Sequence, residues 1–290
     1  MSVYFLAEVS SNHNADLERC LRFVDTAADI GCDGVKFQLF SVDNLFAPEI
    51  LARSAKHKER RAWELPVRYL PMIAERCTAR GIEFCCTPFD LDAVTALQPY
   101  VVRFKIASYE LTWPALLQAC AATGKSVILS TGMATLDECL AACNTLRTHG
   151  CARPTLLHCV SHYPTRPDEA NLASMDSLRQ ACHCDVGWSD HSTRPGVIHQ
   201  AVFGHNASVV EFHLDLDGTG AEFNAGHCWL PDTIRTVIAD VREGETAQGD
   251  AKKHWVQSES PERLWRADPI DGLRPFRQVR ADFKGDTPSK

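Results

Sequence analysis

Val35-Lys36-Phe37-Gln38-Leu39 alternates apolar and polar side chains one by one. Successive side chains of an extended strand point to opposite faces, so Val35, Phe37 and Leu39 share one face and Lys36 and Gln38 the other. The apolar face must pack on helices, which turns Lys36 inward. Val3-Tyr-Phe-Leu-Ala-Glu-Val9 precedes it as a first strand, followed by a polar turn over 10–14. Leu17, Leu21, Val24 and Ala28 then recur at helical spacing, with Asn14 as N-cap and Gly31 as stop. Further strands are expected near 82–87, 101–107, 125–131, 154–160, 184–189 and 207–213. Helices are expected near 66–80, 90–98, 112–123, 135–148, 168–182, 195–204 and 231–243. Strands alternating with helices imply a parallel sheet, and eight of them in about 245 residues imply a closed (β/α)8 TIM barrel of the α/β class. An open doubly wound sheet would show a Gly-rich first turn, and Ser10-Ser-Asn-His-Asn14 is not one.

The domain expectation is a catalytic barrel over 1–247 and a C-terminal tail or docking arm over 248–290, containing Asp268-Pro-Ile-Asp-Gly-Leu-Arg-Pro275. Hydrophobic residues make up 45% and charged residues 23%, the ordinary mix of a globular protein. A net charge of -7 argues against nucleic acid as a partner. No apolar run reaches the roughly 18 residues of a membrane span, and the N-terminus lacks the basic region of a signal peptide. The expected location is cytoplasmic. The 13 cysteines are odd in number and scattered through apolar runs, so buried thiols are expected. Cys182-His-Cys184 lacks the second ligand pair of a zinc site.

A parallel barrel collects its strand C-termini at one mouth. These runs end at Glu8, Lys36–Gln38, Thr87, Lys105–Ser108, Ser130–Thr131, Ser161, Ser189–His191 and Glu211–His213. Lys105, between Phe104 and Ile106, turns inward by the same logic as Lys36. One inward lysine neutralises a structural carboxylate equally well, as Lys36 would Glu8. Two of them, with Thr87, Ser108 and Ser189, form a ring of donors suited to a phosphate and a carboxylate together. His191 and His213 come from adjacent strands and, with carboxylates or water, suit a divalent metal such as Mn, Fe, Co or Zn; the expected cofactor is Mn2+ first, with Mg2+ or Co2+ as alternatives. Glu8 and Glu110 are candidate acid–base groups. The turn Ser130-Thr-Gly-Met133 reads as a cap for the next helix. Tyr163, beside Pro164, is placed to cover a sugar ring. Residues 40–65, with Lys56-His-Lys-Glu-Arg-Arg61, read either as a solvated basic stretch or as a lid over an anion.

Seven ordered stretches resemble the sialic acid (N-acetylneuraminate) synthase family, which condenses phosphoenolpyruvate with an N-acetylated aldose. They are Ala7-Glu-Val-Ser-Ser-Asn-His-Asn14, Asp33-Gly-Val-Lys-Phe-Gln38, Gly81-Ile-Glu-Phe with Thr87-Pro-Phe-Asp90, Phe104-Lys-Ile-Ala-Ser-Tyr-Glu-Leu111, Ile128-Leu-Ser-Thr-Gly-Met-Ala-Thr135, Leu157-His-Cys-Val-Ser-His-Tyr-Pro-Thr165 and Trp188-Ser-Asp-His191. The resemblance implies phosphoenolpyruvate binding by Lys36, Thr87, Lys105, Ser108 and Ser189, with Ser161 where the family has an asparagine. It implies metal binding by His191 and His213, and sugar contacts from Glu8, Gln38, Glu110 and Tyr163. It also implies a homodimer. Ala15 stands where the family has glycine. Glu222 or Asn224, within Gly220–Trp229, replaces the family's last-loop aspartate. The family's C-terminal antifreeze-like domain, which supplies an arginine to the sugar site, is not seen after residue 247; Arg274 and Arg277 are the tail arginines able to substitute. Two other readings compete: another metal-dependent barrel aldolase or isomerase, and a non-catalytic binding relative.

Overall fold

Strict alternation along each strand decides what enters the barrel. The computed structural model describes residues 2–285, so positions 286–290 of the expected tail lie outside the described residues. Eight strands run in parallel: β1 (Tyr4–Glu8), β2 (Gly34–Leu39), β3 (Glu83–Pro88), β4 (Arg103–Ile106), β5 (Ser126–Ser130), β6 (Thr155–His158), β7 (Asp185–Asp190) and β8 (Val209–Leu214). Each pairs with the next, and β8 pairs with β1, closing the (β/α)8 barrel. A two-residue strand, β9 (Cys228–Trp229), adds to β8 beyond the mouth.

Leu6, Cys85, Ile128, Leu157 and Val209 meet inside the barrel as an apolar floor. One step along the strands toward the mouth stand Glu8, Lys36, Thr87, Lys105, Ser130, Ser189 and Glu211, all buried. The opposite faces carry Phe5, Phe37, Phe84, Phe104, Trp188 and Phe212 into the layer beneath the helices. Burying each of these aromatics contributes about 2–3 kcal/mol, so the outer layer fixes strand register and thereby aims the polar layer.

The surrounding helices include Leu17–Asp29, Leu70–Arg80, Leu91–Leu97, Pro114–Ala122, Leu136–Thr148, Ser174–Cys182, Pro195–His199 and Pro231–Ala247. Two cap expectations are corrected. Asp16, not Asn14, caps the first helix, accepting from the Arg19 amide at 3.2 Å. Asn14 and Ala15 instead adopt left-handed backbone, each at φ 53°. The helix after β5 is capped by Thr135 in a reciprocal box with Glu138, not by residues 130–133. Ser130 is thereby left to face the cavity. The 40–65 stretch is structured: short helices at Val42–Leu45, Pro48–Arg53 and Ala55–Glu59 lead into a 3-10 turn at Arg60–Trp63. Phe40, Val42 and Leu51 give it a small core of its own.

The chain divides after Glu245 into two compact units. The second is held by its own contacts. Asp268 accepts from the amides of Ile270 and Arg277 at 3.0 and 2.9 Å, and Asp271 grips Arg280 through two bonds of 2.6 and 2.8 Å. Arg277 pairs with Asp271 at 3.3 Å inside this unit. All thirteen cysteines are free thiols, and all but Cys184 are buried. None of the described helices is long and apolar enough to cross a membrane.

Candidate active site

Glu8 lies in register with Lys36 on one side and His213 on the other, so three strands deliver an acid, an ammonium and an imidazole to one level of the mouth. Lys36 Nζ is 2.7 Å from Glu8 Oε2 and 3.7 Å from Glu211 Oε1, and donates to Thr87 Oγ1 at 3.2 Å. Lys105 Nζ reaches the same Glu211 oxygen at 3.2 Å. Glu211 is therefore the shared counter-charge of both lysines. Ser189 Oγ lies 3.5 Å from it. Burial pulls the Lys36 ammonium toward neutrality, but Glu211 and Glu8 more than offset this and hold its pKa above the ordinary value. Burial likewise disfavours the Glu211 anion, yet Lys105, Lys36 and His213 keep its pKa below the usual carboxylate range. An ion cluster of this kind costs much to desolvate, and leaving any one of its charges unpaired would cost more.

Around this cluster lies one cavity of about 720 Å³. Glu8, Lys36, Gln38, Lys105, Ser108, Glu110, Tyr163, Ser189, His191, His213 and Glu222 all line it. Thr87 stands beside it through its bond to Lys36. Thr87 and Ser161 are the two expected site residues that do not line it; the Ser161 hydroxyl sits where a Cβ on Gly132 would fall. Gly132 there brings its amide 3.0 Å from Ser108 Oγ, and Ser108 also meets Cys159 Sγ at 3.3 Å. Gln38 donates to Glu8 at 2.6 Å and to Ser10 at 3.2 Å. The two candidate acids thus differ. Glu8 is the partner of Lys36, whereas Glu110 Oε2 makes no hydrogen bond among the described residues, and burial lifts its pKa to about 7 against the pull of Lys105.

At the other wall, Glu222 Oε2 lies 3.2 Å from His213 Nδ1 and 3.6 Å from His227 Nε2. Loop stitching explains its position. Arg19, buried against Asp215 at 2.7 Å, donates to the Asn12 carbonyl at 2.6 Å. Asn12 in turn donates to the Leu214 carbonyl at 3.0 Å and accepts the Glu222 amide at 2.8 Å. Ser10 Oγ then donates to Glu222 at 2.6 Å. This settles the register left open by the sequence: Glu222 reaches the site, and Asn224 is exposed. Burial opposes its charge, but the two histidines hold Glu222 well below the usual carboxylate range. His191 Nδ1 donates to the Val160 carbonyl at 2.8 Å, which leaves Nε2 as the lone-pair nitrogen. Burial, then His213, lowers the His191 pKa to about 3, so the ring is neutral. Tyr163 covers the group, its ring centroid 4.2 Å from that of His191 and 4.9 Å from that of His227.

This wall fits a divalent metal. His213 Nδ1 and Glu222 Oε2 are buried and make no hydrogen bond among the described residues. His213, Glu222, His227 and Cys228 offer donor atoms all within 4.8 Å of one another. Burial raises the Cys228 thiol to about 12, so imidazole and carboxylate are the apt donors. His191 stands outside that tight group, with its ring centroid 5.3 Å from that of His213. The expectation pairs His191 and His213 with carboxylates or water; the tight group joins His213 to Glu222 and His227, and His227 is not among the residues expected from the sequence. His227 follows an irregular stretch with no periodicity to locate it. Glu211 is legible in the sequence, two residues before His213 on the same face, but its pairing with both lysines is not. His57, Arg60 and Trp63 also line the cavity, from the basic stretch.

Residues 23–253 match the model of the NeuB family. The chain is 36% identical over 270 residues to the N,N'-diacetyllegionaminic acid synthase of Campylobacter jejuni, covering 88% of this chain and 80% of that protein. The chain belongs to the NeuB family. It is therefore an enzyme of the sialic-acid-type synthases, carbon–carbon bond-forming transferases. Among solved structures, an N-acetylneuraminic acid synthetase from Leptospira borgpetersenii superposes on it with a TM-score of 0.80 at 29% identity, covering 90% of each chain. The pseudaminic acid synthase of Campylobacter jejuni is 29% identical over 261 residues, covering 86% of this NeuB-family chain and 76% of that protein.

Proposed function

We propose that this chain condenses phosphoenolpyruvate with an N-acetylated aldose of the N-acetylmannosamine kind, giving a 2-keto-3-deoxy sugar acid and inorganic phosphate. The observation that carries the reading is the joining, in one cavity, of two buried lysines bridged by Glu211 with the His213–Glu222–His227 wall. Phosphoenolpyruvate carries a phosphate and a carboxylate on adjacent atoms. Lys36 and Lys105, with the hydroxyls of Thr87, Ser108 and Ser189, would bind that doubly anionic face. Ser161, beside Gly132, would act through the placement of Ser108. Gln38 and Glu8 would meet the hydroxyls of the sugar, and Tyr163 would cover its ring.

A divalent ion, Mn2+ first and Mg2+ or Co2+ as alternatives, would be held by His213 and Glu222 with His191 and His227, and would supply Lewis-acid polarisation of the aldehyde oxygen. The methylene carbon of phosphoenolpyruvate attacks the aldehyde carbon, water adds to the resulting cation at C2, and the C2–O bond to phosphate breaks. Glu110, with a pKa near neutrality, holds a proton on Oε2 for the new alkoxide. Glu211 keeps the lysines charged and fixed throughout. We also propose a cytoplasmic homodimer; the free thiols suit a reducing compartment.

The test measures phosphate release from phosphoenolpyruvate with a panel of aldoses, with product mass by mass spectrometry, before and after chelation. The expected result is acceptor-dependent release, a product mass equal to acceptor plus the pyruvate unit, and recovery by Mn2+. Release without a condensed product, or none with any acceptor, would overturn the reading.

A further inference from the structure

Three residues of the basic stretch recur at three-residue spacing: His57, Arg60 and Trp63. The short helix Ala55–Glu59 and the 3-10 turn Arg60–Trp63 put them on one side, and all three line the cavity. The other cations of the stretch face elsewhere: Lys56 and Lys58 are exposed, and Arg61 pairs with Asp43 at 2.5 Å. The stretch is thus a formed wall with one side turned inward. Two bonds within the stretch brace it. Ser54 Oγ meets His57 Nδ1 at 2.6 Å, and Glu64 accepts the Val42 amide at 2.6 Å.

Arg60 is the cation this wall presents. Its guanidinium carbon lies 5.4 Å from the ring centroid of Phe46 and 5.4 Å from that of Trp63. No carboxylate pairs with it among the described residues. Two aromatic contacts hold the guanidinium in place, and its N–H edge remains able to donate. Phe46 and Phe89 line the cavity beside it. One fixed planar donor among apolar side chains matches a planar, neutral group with a carbonyl oxygen at one end and a methyl at the other. A phosphate dianion calls for several converging donors, and this wall supplies one arginine.

We propose that Arg60, clamped between Phe46 and Trp63, recognises the acylamido group of the acceptor sugar, its N–H edge donating to the amide oxygen while the acyl methyl lies on the aromatic wall. The inference rests on the synthase reading and names the group by which that site selects its acceptor. A site built to donate to an amide carbonyl rejects the analogue lacking it, because the donor is then left unpaired.

The test compares wild type, Arg60→Met and Arg60→Lys. Phosphate release is followed with N-acetylmannosamine, with a 2,4-diacetamido-2,4,6-trideoxyhexose, with mannose and with N-acetylmannosamine 6-phosphate. Acceptor binding is also measured by calorimetry, independently of turnover. Wild type is expected to favour the acylamido sugars over mannose by about a hundredfold in kcat/KM. Both variants should raise KM and Kd for the acylamido sugars at least tenfold while KM for phosphoenolpyruvate stays within twofold. Lysine should fail to rescue, because it keeps the charge and loses the planar fork. An unchanged Kd for the acylamido sugars in Arg60→Met, or a wild-type preference for the phosphorylated sugar, would overturn the proposal. Acceptor binding that depends on Arg60 without phosphate release from any acceptor would instead uphold it and count against the synthase chemistry.

Discussion

Glu110 offers a test in which stability and chemistry separate. Burial lifts its carboxyl from the ordinary 4.5 to about 7, Lys105 pulls the other way, and Oε2 has no hydrogen-bond partner among the described residues. Between those two pH values the folded protein holds a proton that the unfolded chain has released. Stability contributed by this group is therefore complete below pH 4.5 and is lost as pH rises through about 7. The gap corresponds to about 3 kcal/mol, at roughly 1.4 kcal/mol per tenfold change in proton affinity. Glu110→Gln keeps the shape and removes the titration. Relative to wild type, the variant should gain little at pH 5 and about 3 kcal/mol at pH 8, which for a domain of this size raises the melting temperature by about 6–9 °C. The assay is thermal unfolding of both proteins at pH 5, 6, 7 and 8, with the difference in melting temperature plotted against pH. Other groups titrate alike in both proteins, so the difference isolates Glu110. A difference that stays flat with pH, or is larger at pH 5, would refute the reasoning. Turnover should fall in the same variant at every pH, because glutamine cannot pass a proton.

Glu211→Gln leaves two buried ammonium groups without their common counter-charge; a loss of about 3 kcal/mol or more in denaturant unfolding is expected, with a raised KM for phosphoenolpyruvate, and a variant as stable as wild type would count against the shared ion cluster. Ala15→Gly tests the left-handed turn after β1: relief of about 1–2 kcal/mol of steric cost at φ 53° exceeds the roughly 0.4–1 kcal/mol lost to a freer unfolded chain, so a small net gain in stability is expected by chemical denaturation, and a loss would contradict the assigned backbone.

Much of the barrel could be read without coordinates because one-residue alternation and helical spacing are local properties. The pattern Val35-Lys36-Phe37-Gln38-Leu39 sends its lysine inward wherever the strand lies, and the same holds for Lys105, Glu211 and His213. The seven stretches at the strand ends carried the family as well. Caps were read less well: Asn14 for Asp16, and residues 130–133 for Thr135, since several polar residues compete for each start and backbone dihedrals decide between them.

What tertiary structure alone decided is who neutralises whom. Glu211 belongs to both lysines only because closure of the barrel sets β8 against β1, with Lys36 and Lys105 reaching it across the interior. Glu222 rather than Asn224 reaches the mouth because Arg19 and Asn12, some 200 residues earlier in the chain, stitch that loop down. His227 comes from an irregular loop, where no period links a residue to a direction, and Arg60 from a short turn whose placement over the cavity depends on how the 42–64 stretch packs. Periodicity fixes the face from which a side chain leaves its strand; its partner across the cavity is set by long-range packing, and charge pairing depends on distance in space.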